Sequence, residues 1–211
     1  MASKNRGRLE KRYKQMKLKQ HIVIGLAGYH GAGKTTVGNY LNNLLVPHDY
    51  NVEYIYFNTC IKEMLVNATS GNFDKIEELK NTNPLTRWLL EKIGAEYLKR
   101  EDMHRHIEEQ ISRFNLPSII IVDGVRRISD ADFLRNKYDG IIVMVTRDIL
   151  DERKNIIPKP DPLPTELELG KMQVDYIFNN DSQSFVRLLS ELRHLVFNEI
   201  FNNTKIKNKI I

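Results

Sequence analysis

Eight consecutive residues near the amino end of the chain have the types and spacing needed to hold a polyphosphate. The segment Gly28-Tyr29-His30-Gly31-Ala32-Gly33-Lys34-Thr35 matches the phosphate-binding pattern G-x-x-x-x-G-K-[ST]. Its glycines allow backbone N–H groups to turn toward a phosphate, and a following helix would add the positive end of its dipole. Lys34 would reach the β- and γ-phosphates, and the Thr35 hydroxyl would ligate Mg²⁺. We therefore expect ATP and Mg²⁺ to bind here, with nucleotide contacts from Gly28, His30, Gly31, Ala32, Gly33, Lys34, Thr35 and Thr36.

A second group of charged residues follows an apolar run later in the chain. Asp123 comes directly after Ile119–Val122, and Arg126 and Arg127 follow at once. A carboxylate at the carboxyl end of a strand can hold Mg²⁺, directly or through water, opposite Thr35. Paired guanidinium groups at the same edge can clamp a second phosphate-bearing substrate. The alternatives are an ordinary Asp-Gly turn and surface salt bridges.

A cluster of cations and prolines lies beyond the next apolar run. Arg147 and Arg153 precede the segment 158–164, which holds four of the seven prolines in the chain. Such a segment cannot be helical, so it is predicted to be a short, semi-rigid loop. It could close over a transferring phosphate and exclude water, or it could be a passive surface connection.

The elements that must position these residues alternate between strands and helices. Apolar runs predict five strands, at residues 22–27, 51–57, 118–122, 141–145 and 176–178. Helical spacing of apolar residues follows the phosphate-binding segment, extends with interruptions over 59–114, and returns from Ser182. Pro84 is placed to begin a helix. This alternation predicts a parallel sheet with helices on both faces and ligands at the carboxyl ends of the strands.

Length, cysteine content and charge limit the class of protein. The chain has 211 residues, enough for one α/β domain, and a single cysteine, Cys60, indicates a reducing compartment. No apolar run approaches the roughly 18 residues that span a bilayer. The net charge of +5 is misleading, because residues 1–20 alone carry eight Lys and Arg against one Glu. Such an arm could contact nucleic acid, but we expect a solvated extension, no membrane partner and a cytoplasmic location, in the host if the protein is viral.

Two other patterns are assigned no function. Asn136-Lys137-Tyr138-Asp139 matches the guanine-reading pattern N-K-x-D, but it precedes an apolar strand instead of following one. We therefore do not expect a guanine-specific GTPase. His104 and His106 lie among acidic residues at helical spacing, where the expected structure is a solvated helix face.

Several segments, in order, resemble the P-loop nucleoside monophosphate kinases, and most closely the deoxynucleoside monophosphate kinases of bacteriophages. The resemblance spans nearly all of residues 21–200. Phe57–Lys62 is similar to the family's aromatic-x-x-x-Leu-Lys segment, and Arg87–Glu96 to its Arg-x-x-Leu-Gln-x-x-Gly-Thr-Glu helix. Asp123–Arg126 resembles its Asp-x-Arg strand end, with Gly124 shifting the arginine by one place. Asp175–Asp181 resembles its Asp-x-x-Ile-x-Asn-Asp pattern.

The resemblance implies a fold and a set of roles. The fold would be a three-layer P-loop NTPase with a five-stranded parallel sheet in the order 2-3-1-4-5, a helical substrate-binding region (59–114) and a short lid (147–170). This domain would cover 21–201, between a basic extension (1–20) and a tail (202–211). Asn180 would flank the donor base, and Arg153 would be a lid arginine that acts in catalysis with Lys34 and Arg126. The monophosphate would be bound by Lys62, Arg87, Arg100, Arg126 and Arg127.

Three functions remain open from the sequence. The first is transfer of the γ-phosphoryl group of ATP to a nucleoside or deoxynucleoside monophosphate. The second is phosphorylation of another small acceptor, such as dephospho-coenzyme A, by a related kinase. The third is a nucleic-acid-binding ATPase that uses the basic arm. Small nucleotides are the expected partners, nucleic acid is not, and a homodimer is an open expectation.

Overall fold

Five parallel strands form a single sheet in the order β2-β3-β1-β4-β5. The computed structural model describes residues 17–69, 72–92, 100–147, 167–181 and 185–210. Its strands are β1 (Ile22–Ala27), β2 (Val52–Tyr56), β3 (Ile119–Val125), β4 (Ile141–Thr146) and β5 (Tyr176–Asn179). The predicted sheet and its strand order are confirmed, and β3 continues past Asp123 where the sequence pattern placed its end.

Helices connect and cover the strands. They are α1 (Lys34–Leu45), α2 (Thr59–Thr69), α3 (Phe73–Thr82), α4 (Pro84–Lys92), α5 (Arg100–Ser112), α6 (Ile128–Tyr138), α7 (Phe185–His194) and α8 (Thr204–Lys207). The predicted helical region between β2 and β3 thus contains α2 to α5. Pro84 begins α4 as predicted, and the Asn83 side chain accepts a hydrogen bond from the Leu85 backbone N–H. Within the described ranges, no helix is long and apolar enough to cross a membrane.

Alternate residues of the strands enter two separate apolar cores, one on each face of the sheet. Ile24 of β1 and Ile121 of β3 pack in the core that includes residues of α1 and α7. Val23 and Ile120 point the other way, into the core that includes residues of α5 and α6. Burying an aliphatic side chain stabilises the fold by about 1.5–3 kcal/mol. The near-continuous apolar strands are therefore explained by helices on both faces.

The last described residues pack against this body. Ile206 of α8 is fully buried, and Ile210 forms an isolated antiparallel bridge with Leu18. The buried Lys209 ammonium donates a hydrogen bond of 2.6 Å to the Tyr138 carbonyl oxygen at the end of α6. Burial lowers the pKa of Lys209. These contacts join Leu18 and residues 206–210 to the packed body.

Candidate active site

The phosphate-binding segment forms the turn that joins β1 to α1. Gly28, Gly31 and Gly33 have φ angles of 147°, 77° and 82°, in the region that side chains other than hydrogen disfavour. Gly33 is the N-cap residue of α1, and Lys34 is the first helical residue. Because glycine has no side chain to cap the helix, the first N–H groups of α1 remain oriented toward an external anion. The backbone conformation agrees with the role that the motif predicts.

Gly28→Ala is expected to lower the free energy of unfolding by about 1–3 kcal/mol more than Gly31→Ala, because only the first change overpacks the structure. A Cβ atom at Gly28 would lie 2.4 Å from the Val145 carbonyl oxygen. Gly31 is a matched control, because its φ is also positive but no atom lies within 4 Å of its Cβ position. Urea unfolding without nucleotide measures both losses. Equal losses would show that the contact with β4 has no effect.

Two side chains hold the turn: Lys34, at the start of α1, and Asn180, which directly follows β5. The Lys34 ammonium donates hydrogen bonds to the carbonyl oxygens of Gly28, at 2.7 Å, and Tyr29, at 3.0 Å. The Asn180 amide donates to the Ala32 carbonyl oxygen at 3.0 Å. Asn180 thus lies directly against the phosphate-binding turn. These contacts preorganise the turn and place the lysine charge above it.

Thr35 and Asp123, the two predicted magnesium ligands, are in direct contact. The Thr35 hydroxyl donates a hydrogen bond of 2.8 Å to Asp123 Oδ2, although 88 residues separate them. Asp123 is only 4% exposed. It lies on β3, the strand directly beside β1, where it pairs with Leu26. A hydroxyl and a carboxylate are the oxygen ligands that Mg²⁺ prefers. The pair therefore fits the metal that the phosphate-binding motif implies.

Tyr54 of β2 also contacts this carboxylate. Its hydroxyl donates a hydrogen bond of 2.8 Å to the same oxygen, Asp123 Oδ2. Burial, followed by the negative charge of Asp123, raises the pKa of Tyr54 well above its ordinary value. The phenol therefore stays protonated at neutral pH and acts as a donor. Asp123 is linked in this way to both α1 and β2.

A β-bulge at Gly124 changes how the arginine pair leaves the sheet. Leu26 pairs with Asp123, but Ala27 pairs with Val125, so one residue of β3 is extra. Gly124 has a φ of 94°, as expected for a bulge residue that must be glycine. Asp123–Arg126 has one residue more than an Asp-x-Arg pattern, and the bulge accommodates that extra residue. Arg126 therefore comes directly after the residue paired with Ala27, as the arginine of the shorter pattern would without a bulge.

The backbone of the arginine pair is fixed by a buried carboxylate. Asp130 is fully buried, and its Oδ2 accepts hydrogen bonds from the backbone N–H groups of Arg126 and Arg127, at 3.3 and 3.1 Å. Its other oxygen lies 3.2 Å from His104 Nε2. The His104 ring stacks on Phe133 with a centroid distance of 4.4 Å. The expectation that His104 belongs to a solvated helix face is wrong, because the histidine links α5 to the start of α6.

Lys62 has an unusual environment for a lysine. It lies in α2, which begins just after the carboxyl end of β2, and it is 2% exposed. Its ammonium lies 4.9 Å from the centroid of the Tyr56 ring, a cation–π contact. Its place just after the carboxyl end of β2 puts it at the edge of the sheet where ligands bind, which is consistent with an anion-binding role.

The other predicted cations are placed only in part. Arg87 lies in α4 and Arg100 begins α5, but their side chains lie outside what the structure describes. Arg153, most of the expected lid and its prolines also lie outside the described residues, and Arg147 is exposed at the end of β4. His30 and Thr36 are exposed on the phosphate-binding turn and α1.

The N-K-x-D segment has the position that the sequence predicted. Asn136, Lys137 and Tyr138 close α6, and Asp139 is its C-cap with a φ of 52°. The segment therefore precedes β4 at the opposite edge from the phosphate-binding turn, since parallel strands begin where the helices before them end. Its geometry gives no support for guanine recognition.

Sequence reasoning missed Tyr54 and Gly38. Tyr54 alternates with apolar neighbours along β2, and this pattern indicates nothing beyond a strand. Gly38 lies inside α1, where glycine is unfavourable by about 1 kcal/mol relative to alanine. That unfavourable glycine was the available signal, because it indicates close approach of another group. The group is the Tyr54 ring, since a Cβ atom on Gly38 would lie 2.4 Å from its Cε2 atom.

Comparison with known proteins found similar architectures only. No family model and no curated protein matches the chain. The crystal structure of TT1252 from Thermus thermophilus is 18% identical, with 86% of this chain and 99% of that chain covered and a TM-score of 0.48. The Mycobacterium tuberculosis APS kinase CysC in complex with AMPPNP and APS is 11% identical, with 84% of this chain and 96% of that chain covered and a TM-score of 0.45. Shikimate kinase from Aquifex aeolicus is 14% identical, with 87% of this chain and 99% of that chain covered and a TM-score of 0.43. Such low identities and TM-scores support no inference about the reaction or substrate of this chain.

Proposed function

We propose that the protein transfers the γ-phosphoryl group of ATP to a nucleoside or deoxynucleoside monophosphate. The observation that carries the proposal is the 2.8 Å hydrogen bond between Thr35 of the phosphate-binding turn and the buried Asp123. It joins the expected triphosphate site to the strand from which Arg126 and Arg127 emerge. A donor site and a candidate acceptor site therefore share one edge of the sheet.

On the donor side, each residue has a distinct task. The glycine turn and the first N–H groups of α1 bind the phosphates, and Lys34 neutralises charge on the β- and γ-phosphates. Thr35 and Asp123 would hold Mg²⁺, which when bound offsets the negative charge that develops on the transferring group. Asn180 supports the turn through Ala32. Phosphoryl transfer requires mainly positioning and charge stabilisation, and these residues supply both.

On the acceptor side, the proposal assigns cations to the incoming monophosphate. The backbone of Arg126 and Arg127 is held by Asp130, which fixes where the two arginine side chains begin. Lys62 adds a buried positive charge after β2. Bidentate arginine contacts and a lysine point charge suit a dianionic phosphate. The proposal extends to Arg87, Arg100 and the lid residue Arg153, which would contact the acceptor or the transferring group.

A coupled ADP-release assay tests the reaction. We expect Mg²⁺-dependent turnover with at least one ribo- or deoxyribonucleoside monophosphate in a panel covering all common bases, and only background ATP hydrolysis without acceptor. Dephospho-coenzyme A belongs in the same panel as the acceptor of the second candidate reaction. Turnover with that compound alone would replace the proposed acceptor class, and turnover with no member of the panel would reject both.

Deleting residues 1–16 tests whether the basic arm contributes to the activity. A kinase of small nucleotides should keep its turnover after this deletion. A nucleic-acid-stimulated ATPase should instead lose stimulation by added DNA or RNA, because counterion release from basic residues dominates such binding. The outcome decides between the two classes with the same assay.

A further inference from the structure

We propose that Tyr54 is a positioning residue for the metal–nucleotide site. Its hydroxyl orients the Asp123 carboxylate, and its ring can occupy this position only because residue 38 is glycine. The inference rests on the proposed function only in its donor half, the binding of ATP with Mg²⁺. It adds a residue on β2 that the phosphate-binding motif does not include.

The hydrogen bonds at Asp123 define the orientation of its carboxylate. Thr35 Oγ1 and the Tyr54 hydroxyl both donate to Oδ2, each at 2.8 Å. A carboxylate can rotate about its Cβ–Cγ bond, and a single donor leaves that rotation poorly restrained. Two donors from different elements fix Oδ2 and thereby the direction of Oδ1. In the part of the chain that the structure describes, no residue donates a hydrogen bond to Oδ1, so this oxygen remains for a metal ion or its water.

The Tyr54 ring is held between α1 and its neighbour on β2. A Cβ atom on Gly38 would lie 2.4 Å from Cε2, 2.5 Å from the hydroxyl oxygen and 2.8 Å from Cζ of this ring. The ring of Tyr56 lies on another side, with a centroid distance of 4.9 Å. Glycine at position 38 is therefore required for the ring to reach Asp123. This contact explains why a residue that disfavours helix stands in the middle of α1.

The double role of Thr35 makes the second donor important. Thr35 would serve both as a metal ligand and as a hydrogen-bond donor to Asp123. Tyr54 is not a proposed ligand, so its hydroxyl would serve the Asp123 carboxylate alone. Loss of a hydrogen-bond partner of a metal ligand typically lowers metal affinity or activity by about 10–100-fold.

Tyr54→Phe tests the proposal, because it removes only the hydroxyl and leaves the ring against Gly38. The dissociation constant of ATP is measured by calorimetry across a Mg²⁺ titration and again in excess EDTA. We expect the half-saturating Mg²⁺ concentration to rise about tenfold, with the affinity in EDTA unchanged. Tyr176→Phe is the matched control, since it removes a phenol that hydrogen-bonds to the Glu199 carbonyl oxygen and the Asn203 amide and not to Asp123. Its Mg²⁺ dependence should equal that of the wild type.

Gly38→Ala gives an independent test if Tyr54→Phe fails to fold. It keeps the phenol but displaces the ring, so the same rise in half-saturating Mg²⁺ is expected, with thermal unfolding in EDTA confirming a folded variant. A Mg²⁺ dependence within twofold of the wild type in the folded variants would overturn the role of Tyr54 and leave the proposed function standing. If Mg²⁺ fails to strengthen ATP binding to the wild type itself, the donor half of the proposed function is wrong and the role of Tyr54 is wrong with it.

Discussion

Lys34→Met is expected to lower kcat for phosphoryl transfer by at least about 10²–10³-fold, the effect of removing one preorganised charge-stabilising donor. Methionine has nearly the same length but no charge, so the change removes the ammonium and little volume. The Lys34 ammonium is held at 2.7 and 3.0 Å by the carbonyl oxygens of Gly28 and Tyr29. Its position above the turn is thus set before a phosphate arrives. Single-turnover kinetics at saturating ATP measure the loss.

Lys34→Arg is the matched control for charge alone. The guanidinium keeps the positive charge but is larger and planar, so it cannot occupy the same site between two carbonyl oxygens of a tight turn. We expect it to restore ATP binding more than kcat. If Lys34→Met keeps a kcat within tenfold of the wild type, Lys34 does not stabilise the transferring phosphoryl group. If Lys34→Arg does so, the positive charge alone is sufficient and the position of the ammonium does not matter.

Asp123→Asn is expected to lower kcat by about 100-fold or more, because it removes the only negative charge proposed to hold Mg²⁺. Loss of a hydrogen-bond partner of a metal ligand lowers metal affinity or activity by about 10–100-fold, so loss of a ligand's charge should lower kcat by at least the upper end of that range. The amide oxygen can still accept from Thr35 and Tyr54, so the hydrogen-bonded contact between α1, β2 and β3 survives. The free energy of unfolding in EDTA should therefore stay unchanged or rise, since a buried carboxylate is replaced by a neutral group.

Two measurements separate these effects. Thermal unfolding in EDTA reports the fold alone, and the additional shift produced by ATP with Mg²⁺ reports the site. For Asp123→Asn we expect the first to be preserved and the second to be largely lost. A variant that keeps the full Mg²⁺-dependent shift and a kcat within tenfold of the wild type would remove Asp123 from the metal site.

The parts of the site that sequence reasoning found are those encoded by adjacent residues. The turn at Gly28–Thr35 is one continuous segment, and Asp123 is marked by the apolar run that it follows. The strand order β2-β3-β1-β4-β5 is implied by the resemblance to the family and not by any single motif. Such local patterns indicate which polar groups lie near the carboxyl edge of the sheet, although β3 continues two residues past Asp123.

The parts that sequence reasoning missed depend on contacts between distant residues. Tyr54 reaches Asp123 across 69 positions in the chain, and no periodicity along β2 distinguishes it from an ordinary strand residue. The bulge at Gly124 depends on pairing between β1 and β3, so from the sequence the arginine appears shifted by one place. The helical pattern around His104 predicts a solvated face, but its ring stacks on Phe133 and its Nε2 atom lies 3.2 Å from Asp130, and both of these residues belong to another helix.

The packing of α8 and Ile210 has a consequence for how the protein is synthesised. The core that includes β1 and α1 also includes Phe201, Ile206 and Ile210, which leave the ribosome last among the described residues. At roughly 5–20 residues per second, the phosphate-binding turn is made on the order of ten seconds before that core can close. During this interval the apolar face of α1 has only part of its native cover. Early termination anywhere before Ile206 should therefore yield a chain with exposed apolar surface, which is a substrate for chaperones and proteases and not a shortened folded protein.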